Sequence, residues 1–349
     1  MENQEKQHQR RVRYKGTHPR KFNEKYKEHN PEKYRETVEK VKQKGSTPAG
    51  MHISICVDEI LDFLNIQPGQ VGLDATLGYG GHSKEMLKCL ESKGHLYALD
   101  IDPIEIVKTK KRLEEVGFGP EILTIIQQNF CNIDQVASEV GKFDFMLADL
   151  GVSSMQIDNP ERGFTYKFDG PLDLRLNPEK GISAAERLVG ISLNELEGML
   201  IENADEPYAA EIAKAVVETM RKGKTITTTT DLRNIIENTL DFLPKQDKEK
   251  MIKKSCQRTF QALRIDVNSE FEVLEAFLEK LPEVLAPGGR VAILTFHSGE
   301  DRLVKQSFKR FLKEGIYSDI SKEVIRPSTE ECNRNGRARC TKMRWAIRA

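Results

Sequence analysis

The chain has 349 residues, 38% hydrophobic and 31% charged, with 54 Lys/Arg balanced by 54 Asp/Glu. That length supports a full core, and no stretch approaches the ~20 apolar residues of a membrane helix. Six scattered cysteines (Cys56, Cys89, Cys131, Cys256, Cys332 and Cys340) with no Cys-x-x-Cys pair fit free thiols in a cytoplasmic setting, and neither a disulfide frame nor a zinc site.

The zero net charge hides an asymmetry. Residues 1–49 carry 14 Lys/Arg against 7 Asp/Glu, which leaves 40 basic and 47 acidic residues in the remainder. A basic arm on an acidic body suits a polyanionic partner, although a solvated tail has the same composition. The start is polar and basic with no apolar h-region, so it does not read as a secretory signal. Few apolar residues predict disorder over residues 1–50. Arg10-Arg11-Val12-Arg13-Tyr14-Lys15 and Arg20-Lys21-Phe22 interleave bases with aromatics, a mixture suited to phosphate contact and base stacking. A short charged helix is predicted at 31–41 and a linker at 45–50.

Val57, Ile60, Leu61 and Leu64 are spaced as one face of a helix. Pro68-Gly69 then turns the chain into a strand at 71–75, and the glycine-rich run Gly78-Tyr79-Gly80-Gly81 leads to a helix over about 83–91. Glycines there allow positive φ and close backbone approach to a ligand. Strands follow at 95–99, 123–127 and 143–148, with helices between, the first of these at about 104–115. Strands alternating with helices predict a parallel sheet with right-handed crossovers. The alternation stops at about 155, where helices are predicted at 193–201, 208–221 and 230–240. It resumes with a helix at 270–285, a turn at Pro287-Gly288-Gly289 and a strand at 290–296. The reading is an α/β core with a helical insertion placed where open α/β sheets bind ligands. The segments are a basic arm at 1–50, core at 51–154, a substrate-recognition insertion at 155–256, and core with a C-terminal tail at 257–349.

The ligand of this core is unlike a dinucleotide. Gly78-x-Gly80-Gly81 does not match Gly-x-Gly-x-x-Gly, and no Gly-Lys-Ser/Thr is present for a phosphate loop. Asp74 ends the first strand, where it would repel a pyrophosphate but accept from an ammonium. Asp100 ends the second strand, where a carboxylate can accept from both hydroxyls of a ribose. Asn129-Phe130 and Asp149 extend the same sheet edge with an aromatic and an acceptor for an exocyclic amine. This series suits S-adenosylmethionine, which has an amino-acid end and no phosphate. Asp74 and Asp100 could instead cap helices, Phe130 could be core, and His82 could simply hold the loop. His297, alone at a strand end, reads as structural slightly more than catalytic.

Six motifs occur in one order: Asp74–Ser83, Asp149–Ser154, Glu161–Phe164, Asp169–Arg175, Arg258–Arg264 and Phe296–Arg302. Together with Arg337-Ala338-Arg339, they resemble the RsmH (MraW) family from about His52 to the C-terminus. The resemblance implies a class I (Rossmann-like) S-adenosylmethionine-dependent methyltransferase core with a helical inserted domain. It further implies methylation of N4 of a cytidine in 16S ribosomal RNA of the small ribosomal subunit, with no membrane partner and a homodimer as one assembly. Carried over by position, Gly80, Gly81 and His82 are the cofactor loop, Asp100 the ribose ligand, Phe130 and Asp149 the flanking groups, and Gln156 a further cofactor contact. The basic arm is an addition to the usual family length, and Gly299 stands where the family usually has Leu.

An amine conjugated with a ring is a weak nucleophile, so an acceptor for its hydrogen is expected. Asp149, Ser153, Ser154 and a backbone carbonyl of their loop are the candidates. A base must leave its stack to reach such a site. Arg162, Phe164, Arg175, Arg258, Phe260, Arg264 and Arg302 can supply phosphate contacts and stacking. The same arginines could instead pair internally with Asp169, Asp173, Glu300 and Asp301.

Overall fold

The computed structural model describes residues 54–349. The arm at 1–50, its predicted helix and linker, and His52 lie outside the described residues.

Helix α1 (Val57–Leu64) buries Ile60 and Leu64, two of the four residues predicted to form its apolar face. Strand β1 (Val71–Asp74) runs into helix α2 (Gly81–Cys89). Strand β2 (His95–Asp100), helix α3 (Pro103–Glu115) and strand β3 (Leu123–Gln127) follow. Helix α4 (Ile133–Val140) then leads to strand β4 (Phe143–Asp149). The helical stretch holds α5 (Ser154–Asp158), α6 (Ala184–Leu188), α7 (Leu193–Ala204), α8 (Ala209–Arg221), α9 (Thr229–Thr239) and α10 (Lys248–Asn268). The core resumes with α11 (Glu270–Val284), β5 (Leu285–Thr295), α12 (Ser298–Lys313), β6 (Tyr317–Ile320), α13 (Thr329–Arg334) and β7 (Lys342–Arg348).

These strands form one seven-stranded sheet in the order β3-β2-β1-β4-β5-β7-β6. The β1–β5 pairings are parallel, and β7 is antiparallel to both β5 and β6. The expected class I methyltransferase sheet is present. Strand order reverses at β1, which lies between β2 and β4, and the crevice at such a switch point is where open α/β sheets bind ligands.

Alternation along the strands supplies two cores. Met146 and Ala148 of β4 face α4, α11 and α12, while Phe145 and Leu147 face α1, α2 and α3; Phe143 joins the first set because the register shifts between it and Phe145. Successive side chains of a strand point to opposite faces, so a central strand covered on both sides is apolar throughout. A third core, from Phe164 to Leu263, belongs to the helical stretch.

Two predicted boundaries move. Lys248–Asn268 is one continuous helix, so the division drawn at 256/257 falls inside α10. Asn268 ties that helix back to the loop after α5, donating to the Leu174 carbonyl and accepting from Leu176 N, both at 2.8 Å. Pro287-Gly288-Gly289 is an excursion within β5. Phe143 pairs with Leu285 and Phe145 with Arg290, so the intervening residues loop out.

Candidate active site

Asp74, Asp100 and Asp149 stand at the C-terminal ends of β1, β2 and β4, three neighbouring strands. The loop after β1 is drawn together by Asp74, which is 1% exposed. Its Oδ1 accepts from Thr76 N at 3.0 Å and its Oδ2 from Ser83 Oγ at 2.5 Å. Burial raises its pKa, and these hydrogen bonds oppose the shift. Asp74 thus organises the loop through both of its carboxylate oxygens. It is not a helix cap.

The glycines of the loop divide by role. Gly78 has φ 47°, and the nearest atom to an added Cβ is 3.8 Å away. Space above it is open, as a ligand cradle requires. Gly80 has φ 79°, and an added Cβ would lie 2.7 Å from Thr109 Cγ2 of α3. Close packing on α3 demands glycine there. Gly81 opens α2, whose first N–H groups have no partners within the helix and favour an anionic group.

Asp100 accepts from Gly78 N at 2.7 Å and from Asp102 N at 2.8 Å, one bond to each oxygen. Each oxygen keeps a second lone pair for an incoming hydroxyl. Burial pushes its pKa up to about 6, against the pull of those N–H groups. The cap of α3 is Asp102, not Asp100. Asp102 Oδ1 accepts from Ile104 N at 3.0 Å, and its Oδ2 takes Arg162 Nη1 at 2.7 Å and Gln156 Nε2 at 2.9 Å. Sequence reasoning passed over this residue, although Asp-Pro at a helix start is a cap signature.

Phe130 is half-buried beyond β3 and packs edge-on against Phe277, with centroids 5.1 Å apart. Asp149 is tied by its backbone, whose N–H donates to Thr76 Oγ1 at 2.6 Å. Its Oδ2 is 3.5 Å from His82 Nδ1, while its Oδ1 is shielded and has no hydrogen-bond partner among the described residues. Burial pushes the Asp149 pKa up to about 6; His82 opposes this, and the charges of Asp74 and Glu300 add to it. His82 Nε2 lies 2.9 Å from the Ile55 carbonyl. A carbonyl only accepts, so that bond places a proton on Nε2 and turns Nδ1 toward Asp149.

The loop after β4 is structurally committed. Ser153 Oγ accepts from Gln156 N at 3.2 Å, and Ser153 N donates to Gln156 Oε1 at 2.9 Å, a reciprocal capping box. The Ser153 hydroxyl and the Gln156 amide therefore hold α5 and Asp102 in place. Ser154 is the first residue of α5.

The proposed RNA set separates in the same way. Arg162 is buried, donating to Asp102 and to the Leu176 carbonyl at 2.8 Å. Phe164 and Phe260 lie in the core of the helical stretch. Arg175 forks onto Asp173 at 2.7 and 2.8 Å, and Arg264 onto Glu270 at 2.7 and 2.8 Å. Of the acids suggested as partners, Asp173 is used; Asp301 holds Lys342 and Arg344 instead. Arg258 is half-exposed and Arg302 exposed, and among the described residues neither pairs with a carboxylate. His297 caps α12 in a box with Glu300. The glycine at 299 has its own reason. A Cβ there would fall 2.6 Å from Phe271 Cζ, so the Phe271 ring fills the space a side chain would take.

The MraW methylase family model matches residues 49–349. A relative from Lachnoclostridium phytofermentans, "Ribosomal RNA small subunit methyltransferase H 1", is 72% identical over 100% of this chain and 95% of its own length. "Ribosomal RNA small subunit methyltransferase H 2" of Alkaliphilus metalliredigens is 67% identical over the whole of both chains, so its alignment includes the basic arm. "Ribosomal RNA small subunit methyltransferase H" of Fusobacterium nucleatum is 39% identical over 84% of this chain and 95% of its own. The family match, the full-length identities and the sheet-edge aspartates agree, and the chain belongs to the MraW methylase family.

Proposed function

We propose that this protein uses S-adenosylmethionine to methylate N4 of a cytidine in 16S ribosomal RNA, acting on the small ribosomal subunit in the cytoplasm. The observation that carries the reading is the placing of Asp100 and Asp149 at the C-terminal edge of one sheet, with one Asp149 oxygen left without a hydrogen-bond partner among the described residues. The names of the full-length relatives supply the substrate class.

The residues present fit the cofactor. Asp100 has spare lone pairs for two ribose hydroxyls, Phe130 offers an aromatic edge for the adenine, and the N-terminus of α2 suits a carboxylate. When bound, S-adenosylmethionine supplies an electrophilic methyl group. Asp149 accepts a hydrogen from the N4 amine, which restores the nitrogen lone pair. With the cofactor bound, an N4–carbon bond would form as the sulfur–carbon bond broke, and the Asp149 carboxylate would take the one proton released from N4. His82, with Nδ1 3.5 Å from Asp149 Oδ2, lies beside the carboxylate and helps to orient it. Alignment of amine, methyl and sulfur provides most of the remaining rate enhancement.

Methyl-labelled cofactor, incubated with small subunits from cells lacking this protein, tests the reading. Label in 16S RNA of the subunit is expected. Label only in other RNA species would remove the subunit as the substrate, and cofactor binding without transfer would remove the enzymatic reading.

A further inference from the structure

The cysteine spacing alone argues against a metal site, but the fold brings distant donors together. Cys56 Sγ, a Glu59 carboxylate oxygen and a Glu331 carboxylate oxygen lie within 4.8 Å of one another. Cys56 and Glu59 flank the start of α1, while Glu331 comes from α13 near the C-terminus. The Cys56 side chain is completely buried and its thiol has no hydrogen-bond partner among the described residues. Backbone geometry holds it there. Cys56 occupies the left-handed region at φ 55°, which a β-carbon disfavours, and its N–H donates to Glu331 Oε1 at 2.8 Å.

The electrostatics of this cluster are unbalanced. Burial first, then the Glu59, Glu331 and Asp149 charges, hold the Cys56 thiol well above its usual range. Burial and the Glu59 charge also raise Glu331. Among the described residues, Glu59 has no cationic partner. The other cluster of similar donors, Glu270, His297 and Glu300, differs on this point, because Arg264 already sits on Glu270. Like charges converging on a buried thiol are relieved by a cation.

We propose that Cys56, Glu59 and Glu331 form a binding site for one divalent cation of the zinc class. One thiolate and two carboxylates suit a borderline ion such as Zn²⁺ or Co²⁺ and suit Mg²⁺ or Ca²⁺ poorly. Tetrahedral bonds of about 2.3 Å to sulfur and about 2.0–2.2 Å to oxygen put donors roughly 3.5 Å apart. Small rotamer changes in two half-exposed glutamates close the remaining distance. A water completes the tetrahedron. Binding transfers the thiol proton to solvent and leaves a thiolate on the metal. The site staples the entry of α1 to α13. It also fixes residue 55, whose carbonyl receives the His82 Nε2 hydrogen. The inference stands independently of the methyl-transfer reading.

The test uses the full chain, stripped with a chelator and titrated with Co²⁺ alone, then with Zn²⁺ in competition. The expected result is one cobalt per chain with a thiolate-to-cobalt charge-transfer band, which Zn²⁺ displaces. Cys56→Ser should abolish the band. Glu331→Gln keeps an oxygen to accept the Cys56 N–H but removes the charge, and it should weaken cobalt binding at least tenfold even if Cys56→Ser fails to fold. Wild-type protein that retains no cobalt after desalting would overturn the proposal, as would a charge-transfer band unchanged in folded Cys56→Ser.

Discussion

His82 Nδ1 lies 3.5 Å from Asp149 Oδ2, and the same ring is held through Nε2 by the Ile55 carbonyl at 2.9 Å. The pair couples the cofactor loop to the end of β4. Among the described residues, the other Asp149 oxygen, Oδ1, has no hydrogen-bond partner.

Asp149→Asn keeps the shape and removes the acceptor for the proton. Loss of one positioned acid–base group costs about 10²–10⁴-fold in rate. Methyl transfer should fall by that order while cofactor binding, measured by calorimetry, persists. Full activity in this variant would remove Asp149 from the chemistry.

The pKa of Asp149 near 6 sets a pH dependence. The carboxylate accepts only when ionised, so kcat should rise with pH through about 6 and then level. Stability runs the other way. A carboxyl raised above its unfolded value binds protons better when folded, so its contribution is present at low pH and declines as pH rises through about 6. Asp149→Asn does not titrate, so it should unfold at a higher temperature than wild type at pH 8, with little difference at pH 4. Thermal melts at the two pH values check the sign.

Asp102 is 1% exposed and receives both Arg162 and Gln156. Removing one partner of a buried ion pair costs about 3–5 kcal/mol. Asp102→Ala should therefore lower the denaturant midpoint sharply, whereas Asp102→Asn, which keeps the cap acceptor, should lose less.

Gly78 and Gly80 should respond differently to alanine. At Gly80 the clash with Thr109 adds to the unfavourable φ, a loss of about 1–3 kcal/mol in stability. At Gly78 the nearest atom stands at ordinary van der Waals distance, so only the backbone conformation is opposed, at about 1 kcal/mol. Gly78→Ala should weaken cofactor binding more than it weakens the fold.

Among the arginines, Arg258 and Arg302 should act on RNA, and Arg162 and Arg264 on the fold. Arg258→Ala and Arg302→Ala should leave thermal stability unchanged and reduce the salt slope of subunit binding, by roughly 0.7–0.9 for each phosphate that is no longer neutralised. Deletion of residues 1–48 extends the measurement to the basic arm, for which an unchanged slope would mean that the arm touches no phosphates.

The sheet edge was readable because β1, β2 and β4 are short, largely apolar runs that close on an acid. Asp74, Asp100 and Asp149 fall where those runs stop. What each acid does was not readable, because its partners are remote in sequence. Asp102 is 60 residues from Arg162, and Asp74 meets Ser83 only after the turn has folded. Arg175 has a local partner in Asp173, whereas Arg264 needs the helix break at Ser269 to reach Glu270. The 21-residue α10 crosses the division drawn at 256/257, in a stretch where no separate helix was predicted between 240 and 270. Phe164 and Phe260 carry no local signal that separates a stacking surface from a core.

The most direct measurement is nucleoside analysis of 16S RNA after the enzyme has acted on small subunits isolated from cells lacking it. One new N4-methylated cytidine per subunit is expected, absent with Asp149→Asn. A methyl group on an adenine or on a cytidine carbon, or an undiminished N4 product from Asp149→Asn, would contradict it.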